Sequence, residues 1–160
     1  MPAGEHDVTE LVAAVAWWRA DLPGARTLLA DAATAALIAG RDGYDLVQLA
    51  LIDETASRFD VDELVDRAAG DAGITEAVHS NLEPVVVHRL CHLVLHDEVS
   101  PRALTRWAHS RYRHGAGDES IDLLAVLDDA YDDVAEVDGD LAPIVAEIRR
   151  IATRIVARSD

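Results

Sequence analysis

The sequence predicts an all-α protein, a compact, bundle-like array of about seven to eight short helices. Three observations lead there. Apolar residues recur at three- and four-residue spacing along most of the 160 residues. Capping residues and Gly or Pro breaks stand between those runs. No pair of alternating segments with a hairpin turn between them reads as strands. Half the residues are hydrophobic but only 4% are aromatic, so the core must be built mainly of Ala, Val, Leu and Ile.

The elements follow in order. Asp7 with Glu10 three residues on reads as a capping box opening a helix with Val8, Leu11, Val12, Val15 and Trp18 on its apolar face. Leu22-Pro23-Gly24 ends it. A second helix from about Ala25 to Ala39 carries Leu28, Leu29, Ala32, Ala36 and Leu37 and stops at Gly40. Tyr44 to Leu51 reads as a short helix, with a buried strand as its alternative. Asp60 and Glu63 form a second capping box, ahead of Val61, Leu64, Val65 and Ala68, and Gly73-Ile74 suits a Schellman C-cap. Residues 75–82 connect to a helix that Pro84 opens and that reaches His96. Ser100-Pro101 is an N-cap with Pro at the first helical position. A helix from about Glu119 to Glu136 follows the break at 114–117, and Asp138-Gly139-Asp140 separates it from a last one carrying Ile144, Ile148, Ile151 and Ile155. Residues 1–160 read as one helical domain, with a division into 1–74 and 75–160 as the alternative.

The run from Leu46 to Ile74, with Leu49, Asp60, Leu64, Ala72 and Gly73, resembles a segment common in uncharacterised actinobacterial all-helical proteins. Ser100-Pro101-Arg102 with Leu104, Trp107 and Ala108 does too, as does Leu127-Asp128-Asp129-Ala130-Tyr131-Asp132. The resemblance covers roughly residues 25–135. It implies a shared helical fold and carries no activity with it.

Charge narrows the function classes. Thirty acids face fourteen basic residues, all of them Arg, for a net charge of -16. A chain this negative is repelled by nucleic acid and by anionic membrane, and its natural macromolecular partner is a basic protein. The leading expectation is therefore a non-enzymatic, acidic, helical protein-binding protein, with an immunity or antitoxin-like inhibitor as its concrete form. A homo-oligomer is compatible with the sequence. The single cysteine, Cys91, has no intramolecular disulfide partner. The opening residues have neither a basic n-region nor an apolar h-region, so the expected location is cytoplasmic.

The partner-facing candidate is the acidic row Asp128, Asp129, Asp132, Asp133 and Glu136. Its Asp-Asp-x-x-Asp spelling matches a magnesium-diphosphate motif, but a second metal-binding motif is missing and a solvated helix face is the expected reading. Residues 102–114 hold Arg102, Arg106, Arg111 and Arg113 with His109, His114, Trp107 and Tyr112, and no acid among them. A basic aromatic stretch of this kind can grip phosphate or nucleic acid; if this helix packs on the acidic one, its arginines instead pair with the Asp row within the molecule, which is the expected reading.

The alternative function is a metal-binding protein or metal-dependent enzyme. It rests on His88, His92 and His96, which form an i, i+4, i+8 stripe on one helix. Two of them can share zinc or another divalent ion, whereas the outer pair stands about 12 Å apart. A third ligand must come from elsewhere, with His79, His109 and His114 as the candidates. The leading reading calls for no cofactor and no catalytic residue. Glu76-x-x-His79 is a single copy of a di-iron pattern that needs two. Trp17 and Trp18 point about 100° apart, so one of the two is expected at a boundary, as an anchor for a partner.

Overall fold

The computed structural model describes residues 3–113 and 115–158, with side chains from residue 8 onward. The described residues form nine helices and no strand. These are α1 (Ala3–Arg19), α2 (Ala25–Ile38), α3 (Tyr44–Ala50), α4 (Arg58–Ala72), α5 (Thr75–Val78), α6 (Glu83–Leu95), α7 (Pro101–Tyr112), α8 (Glu119–Glu136) and α9 (Ala142–Ala157). The all-α expectation holds. The count exceeds seven to eight because the connector after Gly73 contains the one-turn α5. None of the helices is long and apolar enough to cross a membrane.

The chain divides into two compact units, Met1–Val86 and Val87–Asp160, with the boundary inside α6. In the first unit each helix packs on the next, and α5 returns to α1, closing a cycle. Leu11, Val15, Leu29, Leu46, Leu49, Val61, Val65 and Val78 are its largest fully buried side chains. At about 1.5–3 kcal/mol for each large aliphatic side chain, this burial is the main force holding the cycle. Arg19 joins two of its helices, donating to the carbonyl of Val78 and to Asp66.

The two tryptophans differ from expectation. Both are buried, at 7% exposure. Trp17 Nε1 donates to the Pro23 carbonyl at 3.0 Å, in the turn that follows α1. Trp18 Nε1 donates to Asp62 of α4 at 2.7 Å, and Arg26 and Arg58 lie over its ring. The 100° between them is accommodated because the end of α1 has neighbours on both sides.

Two expected helix starts are corrected. Asp7 lies inside α1, which begins at Ala3. For α4 the cap is Ser57, whose Oγ accepts from the Asp60 N–H at 3.1 Å and donates to the Asp60 carboxylate at 2.7 Å. Asp60 is thus the last residue of the box, at N3, not its first. The far end of α4 is as read. Gly73 has φ 71°, and the Ile74 N–H reaches the Ala69 carbonyl at 2.9 Å, a Schellman closure.

α3 is a helix and not a buried strand. Its N-terminus is capped by another helix: Asp71 Oδ2, on α4, accepts from the N–H groups of Asp45 and Leu46 at 2.8 and 3.1 Å. That approach requires glycine at position 43, where a Cβ would come within 2.2 Å of the same oxygen.

In the second unit α7, α8 and α9 each pack on the other two. Leu104, Ala108, Leu124, Ala125, Ile148, Ile151 and Ala152 supply buried apolar surface. Ser100 accepts from the Ala103 N–H at 3.2 Å with Pro101 at the first helical position, as expected. Asp118 caps α8 by accepting from the N–H groups of Ser120 and Ile121.

Candidate functional site

The α7–α8 pair carries the densest polar arrangement in the described residues. Asp128 lies one turn beyond Leu124, on the face of α8 that meets α7, and is only 7% exposed. A buried carboxylate must be paired and hydrogen-bonded, and α7 supplies the donors. Arg102 Nη1 donates to Asp128 Oδ1 at 2.6 Å and to the Asp128 carbonyl at 2.8 Å. Its other terminal nitrogen bonds Asp132 on the next turn of α8. Thr105 Oγ1 stands 3.0 Å from Asp128 Oδ1. His109 Nδ1 stands 3.0 Å from Asp128 Oδ2 and 3.4 Å from Asp129 Oδ1. Because a carboxylate only accepts, this contact places the ring proton on Nδ1 and fixes the imidazole's orientation. The Arg102 guanidinium also stacks 4.7 Å above the Tyr131 ring.

This arrangement divides the acidic row. Asp128 departs from the expected surface position, because the spacing that makes α8 amphipathic turns it inward with Leu124. Asp132 is exposed but engaged by Arg102. Asp129, Asp133 and Glu136 are exposed. Internal pairing of the basic stretch is seen at Arg102. Arg106 and Arg113 make no side-chain hydrogen bond or ion pair among the described residues. Both line an open cleft of about 500 Å³ with His109, Ser110 and Asp128. His114 lies outside the described residues.

The histidine stripe does not behave as a unit. His88 is half-buried, and its Nε2 is buried with no hydrogen-bond partner among the described residues. His92 and His96 are exposed and stacked, with ring centroids 4.2 Å apart. His96 Nδ1 is turned back to the His92 carbonyl at 2.9 Å. Of the candidate third ligands, His79 faces Asp66 at 3.5 Å and His109 faces Asp128. No group of three His, Cys, Asp or Glu side chains able to hold a metal occurs among the described residues. Cys91 is buried, and that burial pushes its thiol up to about 12, away from the reactive thiolate.

A feature that sequence reasoning missed lies on α3. Leu46 and Leu49 are buried, while Tyr44, Val47 and Leu51 are 76%, 37% and 74% exposed. The three occupy i, i+3 and i+7 along α3 and its C-cap, one face of the helix. Ile38, at the end of α2, and Phe59, at the start of α4, are exposed as well. The signal was present in the sequence as an apolar run too rich for a one-sided helix. No protein-family model, curated protein or solved structure matches the chain.

Proposed function

We propose that the protein is a non-enzymatic binding module for a basic partner protein, and that α3 provides the apolar anchor. The carrying observation is the row Tyr44, Val47 and Leu51, three large apolar side chains turned outward from one helix. Single exposed apolar residues are ordinary, but a row on one helical face is the kind of surface that anchors a partner helix. The charge of -16 selects the occupant. A second copy of the chain would bring a second large negative charge to the contact, whereas a basic amphipathic helix adds electrostatic attraction to the apolar one. Asp129, Asp133 and Glu136 contribute to the long-range field that speeds encounter. An inhibitor of a basic protein, immunity-like in character, is the concrete form of this reading.

The test is calorimetric titration with a synthetic amphipathic helix bearing Leu on one face and Lys on the other. Saturable binding is expected, weakening as salt rises and falling at least about tenfold in the double variant Tyr44→Ser, Leu51→Ser. Both side chains are exposed, so the variant keeps its fold, which circular dichroism verifies. Absence of saturable binding, or equal binding by the variant, refutes the reading.

A further inference from the structure

A basic partner leaves the two unpaired arginines of the α7 cleft unexplained. We propose that this cleft binds a phosphate group carried by a small molecule. Arg106, His109, Ser110 and Arg113 fall at i, i+3, i+4 and i+7, a single face of α7 continued through its C-cap. All four line the cleft, whose volume of about 500 Å³ lies in the range that takes a small ligand.

Charge points to an anion. Asp128 also lines the cleft, but its carboxylate is occupied by Arg102, Thr105 and His109, so its charge is met within the protein. Asp129 beside His109 and Asp132 beside Arg102 are the other acids at this site. Arg106 and Arg113 are left with guanidinium groups that no carboxylate among the described residues engages. Planar, forked donors of this kind match phosphate oxygens. The net charge of the whole chain opposes a long polyanion. A small ligand instead senses mainly the groups within about a Debye length, roughly 8–10 Å, where the arginines stand.

The backbone adds an independent observation. Arg113 ends α7 with φ 54° and ψ -109°, a conformation glycine adopts far more readily than arginine. A strained residue with a charged side chain at a cleft is a mark of function retained at the expense of stability. His109, held by Asp128 through Nδ1, presents a fixed ring to the same space.

The experiment is titration of the full chain with inorganic phosphate, pyrophosphate and citrate, followed by calorimetry and phosphorus NMR. Saturable binding of pyrophosphate is expected, with citrate binding weaker. Arg106→Ala and Arg113→Gly are each expected to weaken it about tenfold or more. Arg113→Gly is also expected to raise the melting temperature, because glycine relieves the backbone. Arg154→Ala, an exposed arginine on α9 away from the cleft, leaves binding unchanged. The proposal is overturned by absence of saturable binding, by binding that survives both cleft variants, by equal loss in Arg154→Ala, or by citrate binding as tightly as pyrophosphate. None of these outcomes bears on α3, whose test uses a different ligand and different residues.

Discussion

The α3–α4 and α7–α8 pairs each use one aspartate to tie two helices together, but in opposite ways. Asp71 faces backbone donors, the N–H groups of Asp45 and Leu46, and so fixes where α3 begins. Asp128 faces side-chain donors from Arg102, Thr105 and His109, and so fixes which face of α7 meets α8. In the first pair the arginine pairing is on the surface: Arg67 reaches Asp45 at 3.0 Å with side-chain exposures of 53% and 25%. In the second it is buried, with Arg102 and Asp128 at 15% and 9%. The difference teaches where charge is structural in this chain. Around α3 apolar side chains remain outside, whereas between α7 and α8 a carboxylate is inside.

The largest effect expected from this contrast is on stability. Arg102→Ala should lower the urea unfolding free energy by about 3–5 kcal/mol, because Asp128 would stay buried without its main counter-charge. Arg67→Ala, at the exposed pair, should cost less than about 1 kcal/mol. Equal losses in the two variants would erase the distinction between buried and surface pairing. A double variant, Arg102→Ala with Asp128→Ala, should recover part of the loss, since it removes the orphaned charge along with its partner.

A smaller effect tests the backbone-facing aspartate. Gly43→Ala should destabilise the chain by about 1–3 kcal/mol, because the added methyl meets the Asp71 side chain at the α3 cap. Asp71→Ala removes the cap itself and should cost about 1 kcal/mol. In the background of Asp71→Gly, which removes the Cβ that would stand at 2.3 Å as well as the carboxylate, Gly43→Ala should become milder, as the clash is gone. A Gly43 penalty that persists there would place its cause in backbone conformation instead.

The smallest effect is a pH dependence. The Arg158 guanidinium, hydrogen-bonded to Asp118, holds that carboxyl below its ordinary value of 3.8, with further help from the Ile121 and Ser120 N–H groups. A lowered folded-state value means the contribution is present above pH 3.8 and is lost as pH falls through the folded value. Acid unfolding of Arg158→Ala should therefore begin at slightly higher pH than that of the wild type. The shift should be modest, since Arg158 is 55% exposed and water screens the pair. No shift in the acid midpoint would show that the contact is not maintained in solution.

Much of the fold is legible in local spacing. Ser100-Pro101 and Gly73-Ile74 act where their residue types direct, because a cap is an interaction over three to five residues and needs nothing remote. The same locality explains the misplaced start of α4. Ser57 competes with Asp60 for the cap of α4, and a hydroxyl and a carboxylate three residues apart can satisfy either register until the flanking chain chooses. The candidate site was legible only in part. Pairing between the arginine stretch and the acidic row follows from composition, but which arginine pairs does not.

Sequence by itself determined the helical class, most helix ends, the net charge, and the burial of the Leu and Ile faces. Tertiary structure alone decided that both tryptophans are covered, that Asp128 turns inward while Asp129 stays outside, that Arg102 is consumed while Arg106 and Arg113 are not, and that α3 keeps an apolar row exposed. The physical reason is range. Caps and periodicity act within a few residues. The fate of a helical face depends on which neighbour covers it, and that neighbour comes from elsewhere in the chain: Asp62 for Trp18, 44 residues away, and Arg102 for Asp128, 26 away.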